Sequence, residues 1–513
     1  MKLHVDRTVP TAVLHREDGK HGMTRYQMLI GGELVDAEGD RRRDAVNPYT
    51  RDVFATIPDA SSADVHAAVN AAQRAFDRTW STVSGAERAR LMHRLADLID
   101  ERADELGRLE STDNGKILRE TSAQARFAAR NYRFFAGYAD KLYGRTIPLD
   151  TASSLDYTLR EPVGVAALVT AWNSPMQLLA NKLAPALAAG NTVVIKPSEH
   201  ASATTLDLSL LVAAAGFPPG VINVVSGGVE AGTALAAHPG LGRISFTGSV
   251  STGQAIAAAA AQTLVPMTLE LGGKSPNIVF PDADLKRAVT GALIGIFSAG
   301  GQTCIAGSRL LVQSAVYDEV VEAIARRAKA IRLGDPLAPT THMGPVANEP
   351  QYERIRQMVA AGKESGATMV AGDEGLDGAD LGRGLFVRPT VFAGVRNTAR
   401  LAREEIFGPV LSIIRFDDDA EAITLANDSE FGLASAIWTN DLSRAHTVAR
   451  RLVAGTVWVN TYRASAAQAP FGGVRRSGYG RERGSEALEE YLRTKNVMID
   501  LSGSTADPFV PFE

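Results

Sequence analysis

The stretch Val163-Gly-Val-Ala-Ala-Leu-Val169 leads into a helical segment that runs to Ala189, and Asn191-Thr-Val-Val-Ile-Lys196 follows. Both flanking segments are apolar on both faces, which is typical of strands inside a parallel sheet. Parallel neighbours need a crossover connection, usually a helix, so the stretch predicts a strand–helix–strand unit. This unit decides the fold class, because such a sheet must be covered on both faces by helices.

The same alternation continues towards the C-terminus. We expect two further strands, over Val221–Val225 and Arg243–Thr247, and three further helices, over Thr204–Ala215, Ala231–Ala237 and Ser251–Ala261. A series of this length predicts a doubly wound α/β domain of the nucleotide-binding type. After a break at Pro266, the segment Thr268–Leu271 is expected to open a second α/β domain.

The segments outside this series predict packing elements and two unusual strands. Met28–Ala37 predicts a hairpin closed by Gly31-Gly32, and a capping box is expected at Ser84 and Glu87. Asp156–Arg160 alternates polar and apolar residues and predicts an exposed edge strand outside the main core. Asn496–Leu501 predicts a terminal strand without a following partner. In the second domain we expect helices over Leu285–Ala299, Tyr317–Ile331 and Tyr352–Glu364, strands over Arg309–Val312 and Val410–Phe416, and a late helix over Glu486–Tyr491.

Composition excludes several classes of function. A chain of 513 residues exceeds what one hydrophobic core usually organises. A net charge of −4 and a pI near 6.2 give no basic surface for nucleic acid or anionic lipid, so neither partner is expected. No apolar run approaches the roughly 20 residues of a membrane span. The polar residues 1–25 predict an N-terminal extension, and the absence of a signal, with a single cysteine, predicts the reducing cytoplasm.

Cys304 is the only cysteine in the chain and lies in the Gly-rich, polar stretch Gly301–Arg309. A lone cysteine is either a small buried hydrophobe or a functional thiol, and the count alone favours burial. The glycines and the polar neighbours favour a reactive thiol in an open setting.

Two turns at the ends of predicted strands are candidates for nucleotide binding. Phe246–Gly253 lies between a strand and a helix, where free backbone N–H groups favour a phosphate, although a tight turn without a ligand explains it equally well. Lys196-Pro-Ser-Glu199 ends another strand of the same series, and a carboxylate there suits ribose hydroxyls. Glu199 favours NAD, whereas Lys196 leaves NADP open. By itself, this charged pair is also compatible with a solvated loop.

Two further residues are candidates for catalysis. Glu270 lies between two leucines and precedes two glycines, so it is either a surface residue or a desolvated base with a raised pKa. Asn173 follows a predicted strand, where its amide is either an oxyanion donor or a helix N-cap.

Seven segments together resemble the NAD(P)-dependent aldehyde dehydrogenase superfamily. They are Trp172-Asn173, Lys196–Glu199, Phe246–Ser249, Leu269–Lys274, Gly301-Gln302 with Cys304, Glu404–Pro409 and Pro470–Gly473. The resemblance implies a coenzyme-binding domain over 26–142 and 161–269 and a catalytic domain over 270–475. It implies a β oligomerisation arm and tail over 143–160 and 476–513, whose strands extend a neighbouring subunit's sheet in a homodimer or homotetramer.

The resemblance also implies the mechanism and the site. Cys304 attacks the aldehyde, Asn173 and the Cys304 backbone N–H hold the oxyanion, hydride passes to the nicotinamide, and Glu270 activates the water that hydrolyses the thioester. The implied cofactor residues are Thr170, Trp172, Lys196, Ser198, Glu199, Gly228, Gly232, Phe246, Thr247, Gly248, Ser249, Leu271, Glu405 and Phe407. No metal is expected. Relatives that transfer the acyl group to coenzyme A usually lack the acid at Glu270, and a silent relative would be expected to lack Cys304 or Glu270.

The predicted substrate channel departs from the family pattern. Ser174, Asn181 and Ser465 occupy positions where many relatives carry aromatic rings, so a wider channel for bulky or partly polar aldehydes is expected. Arg463 either faces solvent or reads a carboxylate, as in a semialdehyde. The full set of predicted channel residues is Ser174, Gln177, Asn181, Thr303, Ile305, Arg463 and Ser465.

Overall fold

The computed structural model describes residues 17–18, 23–372, 381, 383–503 and 509. Of the predicted N-terminal extension, all but residues 17–18 and 23–25 therefore lies outside the described residues. The first part of the chain forms six short strands and four helices: β1 Glu17–Asp18, β2 Thr24–Arg25, β3 Met28–Ile30, β4 Glu33–Val35, β5 Arg42–Val46, β6 Val53–Pro58, α1 Ser62–Arg78, α2 Gly85–Glu101, α3 Ala103–Asn114 and α4 Leu118–Ala136.

Local sequence signals explain the boundaries of these elements. β3 and β4 pair as the predicted hairpin, and Gly31 and Gly32 at its tip have φ of 65° and 93°, where residues with a Cβ are disfavoured. The capping box expected at Ser84 is only half formed. Ser84 accepts the Glu87 N–H at 3.2 Å, but the Glu87 carboxylate turns outward to Arg90. A complete capping box occurs instead at Ser61, which opens α1.

The predicted strand–helix series is confirmed, with boundaries shifted by at most two residues. Its elements, with the two strands that precede them, are β7 Thr146–Ile147, β8 Ser154–Pro162, β9 Val165–Val169, α5 Pro175–Ala189, β10 Thr192–Lys196, α6 Ala203–Ala215, β11 Ile222–Val224, α7 Val229–Ala236, β12 Arg243–Thr247, α8 Val250–Ala261 and β13 Met267–Glu270.

The remaining chain forms a second α/β series and a C-terminal return. Its elements are β14 Pro276–Val279, α9 Leu285–Phe297, β15 Arg309–Gln313, α10 Tyr317–Lys329, α11 Glu349–Glu364, β16 Thr368–Ala371, β17 Thr390–Ala393, α12 Arg400–Arg403, β18 Val410–Phe416, α13 Asp419–Asn427, β19 Phe431–Gly432, β20 Ala434–Trp438, α14 Leu442–Arg451, β21 Thr456–Val459, β22 Val474–Arg475, β23 Gly478–Tyr479, α15 Glu486–Glu489 and β24 Leu492–Asp500.

An eight-stranded sheet forms the centre of the first half. Its order is β23-β13-β12-β9-β10-β11-β3-β4, and the five strands from β13 to β11 are parallel. The expectation that Thr268–Leu271 opens the second domain is wrong, because β13 pairs with β12 of the first sheet. Gly478–Tyr479, which was assigned to the arm and tail, also joins this sheet, since β23 pairs with β13.

A seven-stranded sheet organises the second half. Its order is β16-β17-β18-β15-β14-β20-β21, and all neighbours are parallel except β16 and β17. Its inner strands are almost entirely buried, whereas the edge strands β16 and β21 are partly exposed. Helices such as α9, α10 and α11 contribute to the two hydrophobic clusters that pack against the sheet. Within the described ranges, no helix combines the length and apolar composition needed to cross a membrane. The domain boundaries stay a prediction.

The two unusual strands pair with each other. All nine residues of β24 pair with β8 in antiparallel register, and β7 covers the other side of β8. The interpretation of Asp156–Arg160 as an edge strand is therefore wrong, because β8 is the middle strand of a three-stranded sheet. Large apolar side chains remain exposed on this arm: Ile147, Leu155, Leu159, Met498, Ile499 and Leu501.

Candidate active site

Cys304 lies in a turn that begins where α9 ends. Helix α9 stops at Phe297, before the predicted Ala299, because Ala299, Gly300 and Gly301 all have positive φ, between 54° and 71°. A Cβ on Gly301 would collide with the backbone of Gly408, so only glycine allows this close approach. The turn therefore packs tightly against Gly408 just before Cys304.

Polar contacts hold the turn on both sides of the thiol. The Gln302 side chain accepts the Ala347 N–H at 3.0 Å, and the Tyr462 hydroxyl donates to the Ile305 carbonyl at 3.0 Å. Burial and the nearby carboxyl groups of Glu270 and Glu405 raise the pKa of Cys304 to about 12. Cys304 itself is half-buried, and its raised pKa favours the protonated thiol at neutral pH.

Asn173 joins the end of β9 to the cysteine turn. Its Nδ2 donates to the Gln302 carbonyl at 2.9 Å, and the side chain is buried. The N-cap position of α5 belongs to Ser174, so the interpretation of Asn173 as a helix cap is excluded. A side-chain amide has two N–H groups, and one remains for a ligand beside Cys304.

Glu270 ends β13 and faces the same space. Its side chain is only 3% exposed, and neither carboxylate oxygen has a hydrogen-bond partner among the described residues. Burial, then repulsion from Glu482, raises its pKa well above the ordinary range, against smaller opposing effects of Lys182 and two arginines. A surface residue is excluded, and the carboxyl has the properties of a tuned acid–base group.

A buried ion pair that was not predicted from the sequence lies beside Glu270. Lys182 of α5 contacts the Glu482 carboxylate and also donates to Ser245 Oγ at 3.0 Å. Both charged side chains are buried. Lys182 is the only charged residue in the helix Pro175–Ala189, and this was the available signal, because a buried charge needs a partner.

One cavity of about 540 Å³ reaches Cys304 from the side of the first sheet. Asn173, Glu270 and Cys304 line it, with seven of the predicted cofactor residues: Trp172, Thr247, Gly248, Ser249, Leu271, Glu405 and Phe407.

Phe407 and Glu405 are fixed at the wall of this cavity. Phe407 adopts a positive φ of 57°, Gln351 donates to its carbonyl at 2.9 Å, and its ring meets Trp172 edge-on at 5.2 Å. Glu405 accepts the Gly273 N–H at 3.1 Å, and burial raises the pKa of Glu405 to about 7. Gln351 also lines the cavity and was missed.

The other seven predicted cofactor residues do not line this cavity. Thr170 and Phe246 are buried, the first at the end of β9 and the second within β12. The remaining five lie near the carboxyl ends of β10 and β11: Lys196, Ser198, Glu199, Gly228 and Gly232.

This second group carries charges of both signs. Lys196 Nζ is 3.8 Å from Glu199 Oε2, and the Gly228 N–H donates to Asp59 at 3.2 Å. Arg43, which the sequence analysis missed, pairs with Asp59 at 2.8 Å.

A second cavity of about 350 Å³ reaches Cys304 from another side and shares Asn173 and Leu178 with the first. All seven predicted channel residues line it. Its lining contains two arginines, Arg463 and Arg483, and neither Asp nor Glu.

Arg483 is the main residue that the sequence analysis missed in this second cavity. It donates to Asn181 Oδ1 at 3.2 Å and contacts Ser465 Oγ. The small side chains of Asn181 and Ser465 were expected to widen the channel, but the Arg483 guanidinium occupies part of that space. Arg463 instead donates to the Ser298 carbonyl at 3.1 Å.

A single thiol, a buried carboxyl and a tethered amide thus meet where two cavities join. The family model for the aldehyde dehydrogenase family matches residues 34–497. The chain belongs to the aldehyde dehydrogenase family. Aldehyde dehydrogenases of this family oxidise aldehydes and use NAD(P).

Several relatives span almost the whole chain. The (Z)-2-((N-methylformamido)methylene)-5-hydroxybutyrolactone dehydrogenase of Acinetobacter baylyi is 44% identical to this chain. The match covers 95% of this chain and 100% of that relative. Human retinal dehydrogenase 2 is 43% identical, and the match covers 93% of this chain and 92% of the human protein. Among solved structures, Staphylococcus aureus betaine aldehyde dehydrogenase in complex with NAD+ is 39% identical in sequence and superposes with a TM-score of 0.94. The match covers 96% of this chain and 98% of the S. aureus chain.

Proposed function

We propose that this aldehyde dehydrogenase oxidises a bulky or partly polar aldehyde to the free carboxylic acid, with Cys304 as nucleophile, Asn173 as oxyanion donor and Glu270 as base. One observation carries the proposal: Cys304 and Asn173 line both cavities, so a ligand in each would meet at the sulfur. Glu270 lines the first cavity, where it reaches the same point.

The first step needs a thiolate. Because Cys304 has a pKa of about 12, its proton must leave before or during attack on the carbonyl carbon. We propose that ionised Glu270 accepts this proton, directly or through a water molecule. Without the transfer, the Cys304 thiolate and the Glu270 carboxylate would be two negative charges side by side. The S–C bond then forms, and the carbonyl oxygen becomes an oxyanion.

Two donors are available to that oxyanion. Asn173 Nδ2 has one N–H outside its bond to Gln302, and the Cys304 backbone N–H has no acceptor within the described part of the chain. Fixed donors in a site that excludes water stabilise developing charge without reorganising.

The cofactor residues fit a dinucleotide. Ser249 caps α8 by accepting the Thr252 N–H at 3.2 Å, so the N-terminus of this twelve-residue helix opens on the first cavity and suits a pyrophosphate. Trp172, Phe407 and Glu405 would hold the nicotinamide end. When bound, NAD(P)+ supplies the acceptor for the hydride that leaves the former aldehyde carbon. Glu199 favours NAD, and initial rates with each cofactor at equal concentration test the preference.

Glu270 supports release of the product by hydrolysis. Its raised pKa makes it an effective base towards water near neutral pH. Glu270 must first release the proton that it took from Cys304 to solvent. It then accepts a proton from the attacking water, the C–S bond breaks, and the leaving thiolate takes this proton back, which gives the carboxylic acid and the Cys304 thiol. Incubation with an aldehyde, NAD+ and coenzyme A distinguishes this from acyl transfer, because we expect the free acid and no acyl-coenzyme A.

The arm supports assembly of a homodimer or homotetramer. β24 forms an edge of its three-stranded sheet in the single chain, and Met498 on it is 61% exposed. An exposed apolar sheet with a free edge is suited to a second copy of the chain.

A panel of aldehydes, followed through the absorbance of the reduced cofactor, tests the function as a whole. Cys304→Ala is the control, and activity that survives in it would contradict the mechanism. If the protein were a catalytically inactive member of the family, neither the wild type nor Cys304→Ala would reduce the cofactor with any aldehyde.

A further inference from the structure

We propose that Arg483 recognises a carboxylate at the far end of the aldehyde, so that the enzyme acts on semialdehydes of dicarboxylic acids or on comparable carboxylate-bearing aldehydes. The inference rests on the proposed function and adds a substrate class to it. Three observations carry it: the burial of the guanidinium, its incomplete set of partners and the charge of the cavity that it lines.

The Arg483 guanidinium is held between two aromatic rings. Its central carbon lies 5.4 Å from the Phe127 ring centre and 5.0 Å from the Phe471 ring centre. The residue is only 9% exposed. Cation–π contacts with two rings help to hold the guanidinium in one position, which favours binding of a planar carboxylate.

The hydrogen-bond partners of Arg483 are neutral and incomplete. Nε donates to Asn181 Oδ1 and Nη1 donates to Ser465 Oγ, whereas Nη2 has no partner among the described residues. No carboxylate of the described residues lies within 4.0 Å of the guanidinium. A buried cation without a counter-ion is costly, and a ligand carboxylate would supply both the charge and the missing acceptor.

The surrounding charges favour an anion. The cavity lining holds a second arginine, Arg463, and no acidic residue. The nearest acid along the chain, Glu482, is already engaged by Lys182 and by Asn181 Nδ2, which donates to it at 3.1 Å. Glu482 and Glu270 act on Arg483 at longer range, as charges that favour its ionised form, but no carboxylate of the cavity lining pairs with it.

A purely structural role for Arg483 makes a different prediction. As a brace between Phe127 and Phe471, it would affect all aldehydes alike. As a carboxylate receptor, it affects anionic aldehydes selectively and disfavours cationic ones. Betaine aldehyde carries a quaternary ammonium group, so we expect it to be a poor substrate here.

The test compares para-formylbenzoate with its methyl ester, which differ in charge but share the ring and the aldehyde. We expect the wild-type kcat/KM to favour the acid, and Arg483→Gln to lower the acid-to-ester ratio by about 10- to 100-fold, mainly through the KM of the acid. Arg483→Lys should restore part of the ratio, because it keeps the charge but not the planar fork. Arg326→Gln, at an exposed arginine of α10, is the matched control and should leave the ratio unchanged.

Three results would overturn the inference. They are equal wild-type kcat/KM values for acid and ester, a ratio that is the same in Arg483→Gln, and a ratio that falls only in Arg463→Gln. The wild-type comparison alone decides the matter if Arg483→Gln does not fold, as judged by its thermal unfolding. If no aldehyde is oxidised, or if Cys304→Ala is as active as wild type, the proposed function fails as well. If the ester is oxidised through Cys304 without a preference for the acid, only the role of Arg483 fails.

Discussion

The Asn173 side chain donates a hydrogen bond to the Gln302 backbone carbonyl, with 2.9 Å between Nδ2 and the oxygen. This bond links the first sheet, through the end of β9, to the turn that carries Cys304 in the second half of the chain. The proposed oxyanion donor Asn173 and the proposed nucleophile are therefore linked by the fold before any ligand binds, and fixed donors of this kind make electrostatic stabilisation effective.

Replacing Asn173 with Ala should remove one oxyanion donor and loosen the cysteine turn. We expect kcat to fall by roughly 100- to 1,000-fold, with a smaller change in the KM for the aldehyde. Steady-state rates of cofactor reduction measure the effect. Asn427→Ala is the control, because Asn427 also donates to a backbone carbonyl, that of Arg451, at 2.8 Å. A loss confined to aldehyde KM would contradict the oxyanion role.

Replacing Glu270 with Gln should block hydrolysis of the thioester. Because burial and Glu482 raise the pKa of Glu270, the carboxyl stays protonated at pH values where an ordinary glutamate is ionised. The wild-type kcat should therefore rise with pH through the raised pKa, as the base form accumulates. In Glu270→Gln this rise should disappear, and the remaining turnover should fall by roughly 100-fold or more. An unchanged pH profile in the variant would exclude Glu270 as the base.

Alkylation of Cys304 should be slow and strongly dependent on pH. The thiolate fraction increases about tenfold per pH unit below the pKa, and the pKa of Cys304 is raised to about 12. Iodoacetamide incorporation, followed by mass spectrometry, reports on this site alone because the chain has 1 cysteine. We expect no plateau below roughly pH 10 in the cofactor-free enzyme. Glu270→Gln should react faster at a given high pH, because a repelling charge is removed.

A methyl group at Gly272 should displace Glu405. A Cβ there would collide with the Glu405 carboxylate, which accepts the Gly273 N–H at 3.1 Å. We expect Gly272→Ala to raise the cofactor KM by roughly tenfold, equivalent to the loss of one charge-assisted hydrogen bond. Gly137→Ala, at the end of α4, is the control. Equal cofactor KM values in Gly272→Ala and wild type would show that Glu405 does not contribute to cofactor binding.

A charge on the arm should weaken assembly. Met498 lies on β24 with 61% of its surface exposed, so Met498→Asp would place a carboxylate in the proposed contact between copies. We expect light scattering after gel filtration to show a shift towards the monomer. Leu442→Asp, at a leucine that is 73% exposed on α14, is the matched control and should not change the mass. A monomeric wild type would contradict the assembly itself.

The sequence predicts regular elements best where burial imposes a pattern. β12 and β18 have the predicted boundaries, because both strands lie in the interior of a sheet, where neighbours cover their two faces. Prediction failed where a partner distant in sequence decides the outcome. β8 looked like an edge strand because β24, more than 300 residues later, supplies its second neighbour.

The candidate site shows the same division. Cys304, Glu270 and Asn173 were identified from the sequence because short motifs carry them, and the structure places all three around one cavity. Lys182 and Glu482 were missed, because an ion pair between residues 300 positions apart leaves no local pattern.

By itself, the sequence determined the α/β fold class and indicated Cys304 as the candidate nucleophile, since apolar runs and short motifs extend over a few residues. Only the tertiary structure decided which charged groups surround Cys304 and which cavities reach it. Arg483 lies in a charged stretch that resembles a solvated loop, and the folded chain buries it between Phe127 and Phe471 in the second cavity. The physical reason is that burial depends on neighbours that only folding brings together. Burial raises the pKa of Glu270, and it encloses the Arg483 guanidinium with no carboxylate of the described residues within 4.0 Å.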